Sequence, residues 1–230
     1  MPEDWFPADF VTEAFPGQFN NWFYSLIAMS TALKGINPFK NLLGHALVID
    51  DKGEPMHKSS KNFIPFDEGV EKMGGDVMRW MYAIQNPENN LPMTYEAGLE
   101  IKRKFILILW NSYKFFVDYA NLANWNPSLK RSVLAKLDEW ILARMTKLVI
   151  LVNESLEKYD ASTASRSIED FVVNDFSTWY IRRSRDRKEA CLPVMYEVLV
   201  TLSKLLAPFT PFLAEEMFKN LTKKDSVHLQ

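Results

Sequence analysis

Several residue types are scarce in this chain of 230 residues, and each scarcity limits what the protein can be. The single cysteine, Cys191, cannot form an internal disulfide, which suits a reducing compartment. Three histidines are present, too scattered to give the spacing of a metal site: His45, His57 and His228. No apolar run approaches membrane-spanning length, and the acidic start lacks the apolar segment of a signal peptide. These features predict a soluble, cytoplasmic protein without a metal centre.

Glycine is unevenly distributed, since all eight glycines lie at or before Gly98. Because glycine permits turns and close backbone approach, we expect a compact mixed structure first and long helices after it. A hydrophobic content of 47% and an aromatic content of 13% predict a packed globular protein. The net charge of -2 means that any contact with nucleic acid must come from a local basic patch.

The first part of the chain has the order of elements that is typical of the end of an α/β nucleotide-binding sheet. A helix is predicted from about Asn20 to Leu33, and a strand over residues 42–49. The helix has a broad apolar face formed by six residues: Trp22, Phe23, Leu26, Ile27, Met29 and Leu33. Core packing is the expected role of Trp22, Phe23 and Leu26. A polar loop follows the strand, at the place where such sheets bind their ligands.

That polar loop, residues 50–62, is basic and rich in hydroxyl groups. Two aspartates and Gly53 predict a tight reversal at its start. Lys58 and Lys61 then supply positive charge, and Ser59 and Ser60 supply short donors, which together suit a polyphosphate. A loop of this composition is more often simply solvated, so composition alone does not decide between the two.

Two short helices are expected next, over residues 65–73 and from Gly75 onwards. Asp76 is placed to cap the second helix, and Arg79 to pair with Asp76 or Glu71. A turn-rich linker is predicted over residues 85–92.

The rest of the sequence, from Glu96 onwards, predicts a mainly α-helical bundle. A first long helix runs from Glu96 to about Ala120 and is interrupted at residues 124–128. The next helix carries an apolar stripe at steps of four and three that marks a core-facing surface: Leu137, Ile141, Met145, Leu148, Val152, Leu156 and Tyr159. A third helix is predicted from Ala161 to about Lys188.

The far end of this third helix is densely basic and has aromatic neighbours. It carries four arginines, Arg182, Arg183, Arg185 and Arg187. Arginine forks match phosphate oxygens, and Tyr180 or Trp179 offers a stacking face to an unpaired base. A solvated helix end, with cations at the negative pole of the helix dipole, explains the composition equally well.

The loop also resembles the signature loop of class I aminoacyl-tRNA synthetases, G-x-K-M-S-K-S-x-G-N. Five residues match it: Gly53, Met56, Lys58, Ser59 and Asn62. Three depart from it, at the first lysine, the first serine and the second glycine: Pro55, His57 and Lys61. Since Pro55 carries no cation, His57 or Lys61 is expected to compensate.

Other segments resemble the isoleucyl-tRNA synthetases in the same order along the chain. The segment before the signature loop is similar at residues 6–10, 22–26 and 38–41. The helical anticodon-binding domain of isoleucyl- and valyl-type enzymes is similar at residues 137–142, 175–182, 205–216 and 226–229. In place of an arginine common in that family, this chain has Asn20.

The resemblance implies three regions: residues 1–64 as the end of a Rossmann-like catalytic domain, 65–95 as a small connector, and 96–230 as the anticodon-binding bundle. In the connector, the Gly-Asp-x-x-Arg pattern is expected to support the position of the loop. In the bundle, Trp179 is expected in the core and the arginines after it on the tRNA(Ile) side, with Tyr180. For ATP and Mg2+, the implied contacts are Lys58 on the pyrophosphate, with Met56, His57, Ser59 and Gln18 around the nucleotide.

The chain lacks the His-x-Gly-His motif of this class and any region resembling an editing domain. The resemblance therefore implies part of a larger isoleucine-tRNA ligase, inactive by itself and expected to be monomeric. Three alternatives stay open: a valyl-type fragment, a tRNA-binding module without enzymatic activity, and a helical interaction protein whose arginines pair with its own acids.

Overall fold

The computed structural model of the protein describes residues 5–127 and 133–230. The chain divides into two compact units. One comprises the residues up to Phe63 together with Gln85–Thr94, and the other comprises Ile64–Ile84 together with Tyr95–Gln230.

The first unit contains a parallel strand pair joined by a helix. Strand β1 (Ala8–Ala14) pairs with strand β2 (Phe39–His45), in register from Ala8 opposite Phe39 to Ala14 opposite His45. Helix α1 connects them through the consecutive segments Phe15–Gln18, Phe19–Phe23 and Tyr24–Lys34, the middle one π-helical. It ends at Gly35, whose φ of 70° is the left-handed conformation that glycine adopts at helix ends. Such a crossover is the ordinary connection between parallel strands.

The strand expected over residues 42–49 is interrupted. After β2, the amide of Ala46 donates to the carbonyl of Pro87, and a separate short strand β3 (Val48–Ile49) follows. Strand β3 pairs in parallel with β4 (Leu91–Pro92). The predicted linker over residues 85–92 therefore contributes a strand as well as turns.

The apolar face of α1 is only partly covered. Phe23 is buried, with 3% of its surface exposed, which confirms core packing for that residue. The expectation is wrong for Trp22, which is 38% exposed, and Leu26 is half-buried. Three further apolar residues of this helix are also exposed: Ile27, Met29 and Leu33. The described part of this unit supplies no further layer of structure over them.

The second unit is a helical bundle, and the mainly α-helical prediction is confirmed. Its helices are α2 (Phe66–Lys72), α3 (Gly75–Ile84), α4 (Tyr95–Ile101, Lys102–Ile106 and Leu107–Leu122 in succession), α5 (Lys136–Glu157), α6 (Ala161–Asp170 and Phe171–Ile181), α7 (Lys188–Leu206) and α8 (Pro211–Thr222). The second segments of α4 and α6 are π-helical. Short 3-10 turns follow at Arg185–Arg187 and Val227–Leu229.

The predicted stripe on α5 forms part of the core. Four of its residues are buried, with at most 5% of their surface exposed: Ile141, Met145, Leu148 and Val152. Tyr159 lies beyond the end of α5 and is 42% exposed, so the stripe ends earlier than predicted. Of the residues that the structure describes, none belongs to a helix long and apolar enough to cross a membrane.

The connector residues Asp76 and Arg79 bind the turn between α7 and α8. The Asp76 carboxylate accepts hydrogen bonds from the amides of Leu213 at 2.7 Å and Phe212 at 3.3 Å, in the first turn of α8. Arg79 donates to the carbonyls of Pro208 at 2.7 Å and Phe209 at 3.1 Å. The expected cap of its own helix by Asp76 is therefore wrong. The expected pairing of Arg79 is present only as an attraction between its charge and Asp76, since the hydrogen bonds that it donates go to carbonyl groups.

This arrangement changes the electrostatics of Asp76. Burial raises the pKa of its carboxyl group, against the opposing effect of the two α8 amides and of Arg79. Asp76 thus caps α8 rather than α3. Asp76 and Arg79, one helical turn apart on α3, both bind residues 208–213 at the turn between α7 and α8.

Candidate nucleotide loop and RNA interface

The polar loop begins with a turn built on Asp50. Its Oδ1 atom accepts from the amides of Lys52 and Glu54, each at 2.9 Å. Gly53 has a φ of 83°, a left-handed conformation that a side chain would strain. Hydrogen bonds from Asn62 and from the amide of Glu54 lower the pKa of the Asp50 carboxyl group, which keeps it ionised. The predicted tight reversal is present.

Asn62 closes the loop. Its Nδ2 atom donates to Asp50 Oδ2 at 2.9 Å and to the carbonyl of Pro55 at 3.1 Å. Its Oδ1 atom accepts from the amide of His57 at 3.0 Å. Since Met56 also donates its amide to the carbonyl of Val48 at 3.1 Å, both ends of residues 55–62 are attached to the end of β3.

The residues between these attachments project into solvent. Lys58, Ser59, Ser60 and Lys61 are all exposed, while Met56 is half-buried beside them. Hydrogen bonds from the amide of Ser60 to the carbonyl of His57 and from the amide of Lys61 to the carbonyl of Lys58 form the turn. Two cations and two hydroxyl groups are thus presented on a backbone that is fixed at both ends.

Lys61 occupies a backbone conformation that favours glycine. Its φ is 55°, in the left-handed region, where most residues other than glycine are strained. This is the position at which the class I signature has its second glycine, a residue that adopts this φ without strain. Gln18, the remaining nucleotide candidate, is half-buried in α1, and no hydrogen bond joins it to the loop among the described residues.

In the second unit, the predicted third helix ends earlier than Lys188. Helical backbone continues to residue 183, and the chain then turns at Ser184, whose amide donates to the carbonyls of Tyr180 and Ile181. The predicted helix from 161 to 188 is wrong in its last turn. The buried Ser184 marks the position where the chain is drawn inwards before α7 begins.

A buried carboxylate explains this turn. Asp138, in the first turn of α5, is 2% exposed and accepts from Arg187 at 2.7 and 2.8 Å. It also accepts from the hydroxyl of Tyr180 at 2.6 Å and from the amide of Ala135 at 3.0 Å. All four approaches to the two oxygens are occupied, so the charge of Asp138 is fully compensated inside the protein.

Tyr180 and Trp179 have the opposite exposure to the one expected: Tyr180 is buried and Trp179 is exposed. Tyr180 has no exposed surface, and its hydroxyl is bonded to Asp138, so its ring has no free stacking face in this structure. Trp179, which the family resemblance placed in the core, is 46% exposed. The guanidinium carbon of Arg183 lies 3.8 Å from the centroid of its indole ring.

The arginines also separate into two groups. Arg187 is bound to Asp138, whereas Arg182, Arg183 and Arg185 are exposed. Within the described residues, none of these three forms an ion pair with an acid, so the interpretation in which all the arginines serve internal salt bridges holds only for Arg187.

Sequence reasoning missed a second group of cations in the groove between α5 and α6. Arg144, Lys147 and Arg166 line a cavity of about 330 Å3, together with Ser167 and Asp170. Arg144 also pairs with Asp175 at 2.7 Å. Arg144 and Lys147 are three residues apart on one helix, so the sequence could have predicted that they share a face. The position of Arg166 beside them depends on how α5 and α6 pack together.

Two protein-family models match separate parts of the chain. Residues 2–93 match the family model described as tRNA synthetases class I (I, L, M and V), and residues 138–230 match the anticodon-binding domain of tRNA ligase. Isoleucine-tRNA ligases of Dehalococcoides mccartyi (strain CBDB1) and Thermus thermophilus are 42% and 41% identical over 97% of this chain. The chain spans 24% and 23% of their lengths.

Solved structures of the same class share the fold. LeuRS from Agrobacterium radiobacter K84, in a ternary complex with tRNA and LeuAMS, superposes with a TM-score of 0.71 at 18% identity, covering 96% of this chain and 28% of that one. Methionyl-tRNA synthetase from Mycobacterium tuberculosis, with methionyl-adenylate, gives 0.72 at 20% identity, covering 94% and 44%. The two family matches show that this chain belongs to the class I aminoacyl-tRNA synthetases, and the curated relatives that it resembles at 42% and 41% identity are isoleucine-tRNA ligases.

Proposed function

We propose that this chain supplies two parts of an isoleucine-tRNA ligase: a loop that binds the phosphates of ATP, and a bundle that binds tRNA(Ile). In this proposal residues 1–64 belong to the catalytic domain, 65–95 form the connector and 96–230 recognise tRNA. We further propose that the protein acts as a monomer in the cytoplasm. The observation that carries the nucleotide role is the exposed Lys58, held on a loop whose ends are both attached by Asn62.

The loop fits the phosphates of ATP. Lys58 offers a mobile ammonium group, and Ser59 offers a hydroxyl group beside it, on a backbone that is already ordered. ATP, when bound, supplies the phosphoanhydride that activates isoleucine. Lys58 stabilises the negative charge on the phosphate oxygens, while Met56 and His57 shape the loop around the nucleotide and Gln18 remains a candidate contact.

We propose that Mg2+ binds together with the phosphates of ATP, since Mg2+ in nucleotide sites takes one or two carboxylates and phosphate oxygens as ligands. Over residues 5–127 and 133–230, no group of three or more His, Cys, Asp or Glu side chains is arranged to hold a metal ion.

The nucleotide role is tested in a chimera in which this chain replaces the matching segment of the Thermus thermophilus enzyme. Lys58→Ala is expected to reduce isoleucine-dependent pyrophosphate exchange by about 10- to 100-fold, because a hydrogen bond to a charged group contributes about 1.5–3 kcal/mol. Lys52→Ala, which removes an exposed lysine from the turn before the loop, is the matched control. Unchanged exchange in Lys58→Ala would refute the assignment.

The tRNA role is supported by the exposed Arg182, Arg183 and Arg185 and by the cationic groove between α5 and α6. Each phosphate contact that is lost lowers the magnitude of the slope of log K against log salt by about 0.7 for single strands and about 0.9 for duplexes. The Arg185→Gln variant is therefore expected to bind tRNA(Ile) more weakly and with a shallower salt dependence than the unaltered chain. Lys204→Gln, at the other end of α7, is the control.

A tRNA-binding module without enzymatic activity is the second candidate, favoured by the departures at Pro55, His57 and Lys61. It predicts a chimera that binds tRNA normally but catalyses no pyrophosphate exchange. Preference for valine tRNA over isoleucine tRNA would instead support the valyl-type alternative.

A further inference from the structure

Trp179 is exposed on a helix whose neighbouring aromatic residues are buried. Phe176 and Tyr180 have no exposed surface, whereas Trp179 is 46% exposed. An indole in this position adds little to the core of the bundle. Nearly half of the Trp179 surface is therefore open to a binding partner.

Arg183 lies against this indole. The two residues are one helical turn apart, and the guanidinium carbon is 3.8 Å from the ring centroid, which is the distance of direct contact over the face. Arg183 is itself exposed, and no acid among the described residues pairs with it. Its guanidinium group is thus held on the ring with donors still available.

Trp140, on the facing helix α5, supports the pair. Its ring centroid lies 6.5 Å from that of Trp179, with an angle of 55° between the planes. Trp140 is half-buried, so it is anchored in the bundle while touching the exposed ring. The indole of Trp179 therefore contacts Trp140 on α5, and the guanidinium group of Arg183 covers part of its face.

We propose that Trp179 and Arg183 form a stacking site for an unpaired nucleobase of the bound tRNA, an inference that rests on the proposed function. Indole rings and guanidinium planes both stack on the faces of nucleobases. The exposed Arg182 and Arg185 lie on either side of Arg183 in sequence and are available for the phosphates that flank such a base. The patch combines an aromatic ring with three arginines for which the described residues provide no ion pair, although the exposed Asp186 lies next to Arg185 in sequence, and this chemistry favours single-stranded RNA.

The site is tested with the anticodon stem-loop of tRNA(Ile) and the same hairpin made abasic in its loop, each titrated with the full chain across a salt series. Stacking is largely independent of salt, whereas phosphate contacts are not. Trp179→Leu is expected to weaken binding of the intact hairpin by about 5- to 100-fold with an unchanged salt slope, and to leave binding of the abasic hairpin unchanged. Trp179→Phe should restore part of the loss, because it retains a ring.

Two further variants make the result specific. Trp110→Leu removes a tryptophan that is 38% exposed on α4 and should alter neither titration. Arg183→Gln should lower affinity for the intact hairpin. Equal losses on both hairpins in Trp179→Leu, or no loss on either, would overturn the stacking site while leaving tRNA binding intact. Absence of salt-dependent hairpin binding by the unaltered chain would instead overturn the proposed tRNA role, and the stacking site with it.

Discussion

Asp138 and Arg187 form a two-pronged ion pair between the start of α5 and the turn before α7, at 2.7 and 2.8 Å. The pair draws Arg187 inwards, away from Arg182, Arg183 and Arg185. Within the basic segment 182–187, Arg187 therefore stabilises the bundle, whereas Arg182, Arg183 and Arg185 are exposed to solvent. Burial by itself would raise the pKa of Asp138, but hydrogen bonds from Arg187, Tyr180 and Ala135 outweigh it and lower the pKa.

Breaking this pair should destabilise the bundle strongly. Asp138→Asn leaves the guanidinium of Arg187 without its counter-charge, and loss of one partner of a buried pair costs about 3–5 kcal/mol. Urea unfolding of the chain measures the change. Asp175→Asn, which breaks the more exposed pair with Arg144, is the control and should cost at most about 1 kcal/mol. Equal losses in the two variants would contradict the role of Asp138.

Removing the cap that Asp76 provides should also lower stability. Asp76→Ala deprives the amides of Phe212 and Leu213 of their acceptor, and loss of a helix cap costs about 1 kcal/mol. Asp67→Ala removes an exposed carboxylate from the first turn of α2 and serves as the comparison. If both variants unfold at the same urea concentration, the hydrogen bonds to α8 contribute nothing measurable.

Lys61→Gly is expected to stabilise the loop. Glycine adopts the φ of 55° without strain, and the left-handed conformation costs other residues about 1–2 kcal/mol, of which the greater freedom of unfolded glycine cancels part. Amide hydrogen exchange of residues 57–62 should become slower. Lys58→Gly, at a position without a positive φ, should make exchange faster, and slower exchange in both variants would exclude strain at Lys61 as the reason.

Acid should weaken the attachment of the 3-10 turn at the end of the chain. Hydrogen bonds from Lys219, from the amide of Val227 and from Ser226 lower the pKa of Glu215 from 4.5 to about 2. Because the folded pKa is the lower one, the contribution of Glu215 to stability is complete above about pH 4.5 and is lost as the pH falls towards 2. Urea midpoints between about pH 6 and about pH 2.5 should fall less steeply in Glu215→Gln. The same slope in both proteins would show that Glu215 does not contribute.

Local patterns predicted much of this protein, because they depend on neighbours in sequence. The apolar stripe on α5 follows from helical periodicity, and Ile141, Met145, Leu148 and Val152 are buried as expected. The turn at Asp50 and Gly53 follows from residue type. The resemblance of the loop to the class I signature also required no tertiary information, because its residues are contiguous.

Contacts between distant residues could not be predicted in this way. Asp76 has the residue type and position of a cap for its own helix, but the amides that it binds lie 136 and 137 residues further along the chain. The cationic groove depends on how α5 and α6 pair, which brings Arg144 and Arg166 to one cavity. The strand β4 depends on a partner that lies far away in sequence.

The sequence by itself determined the helical bundle, the chemistry of the loop and the basic character of residues 182–187, since each depends on residue type and local spacing. Only the tertiary structure decided which of these residues face solvent. Asp138 lies 42 residues before Tyr180 and 49 before Arg187, and its buried charge required both as partners. That requirement turned Tyr180 and Arg187 inwards and left Trp179 and Arg183 at the surface.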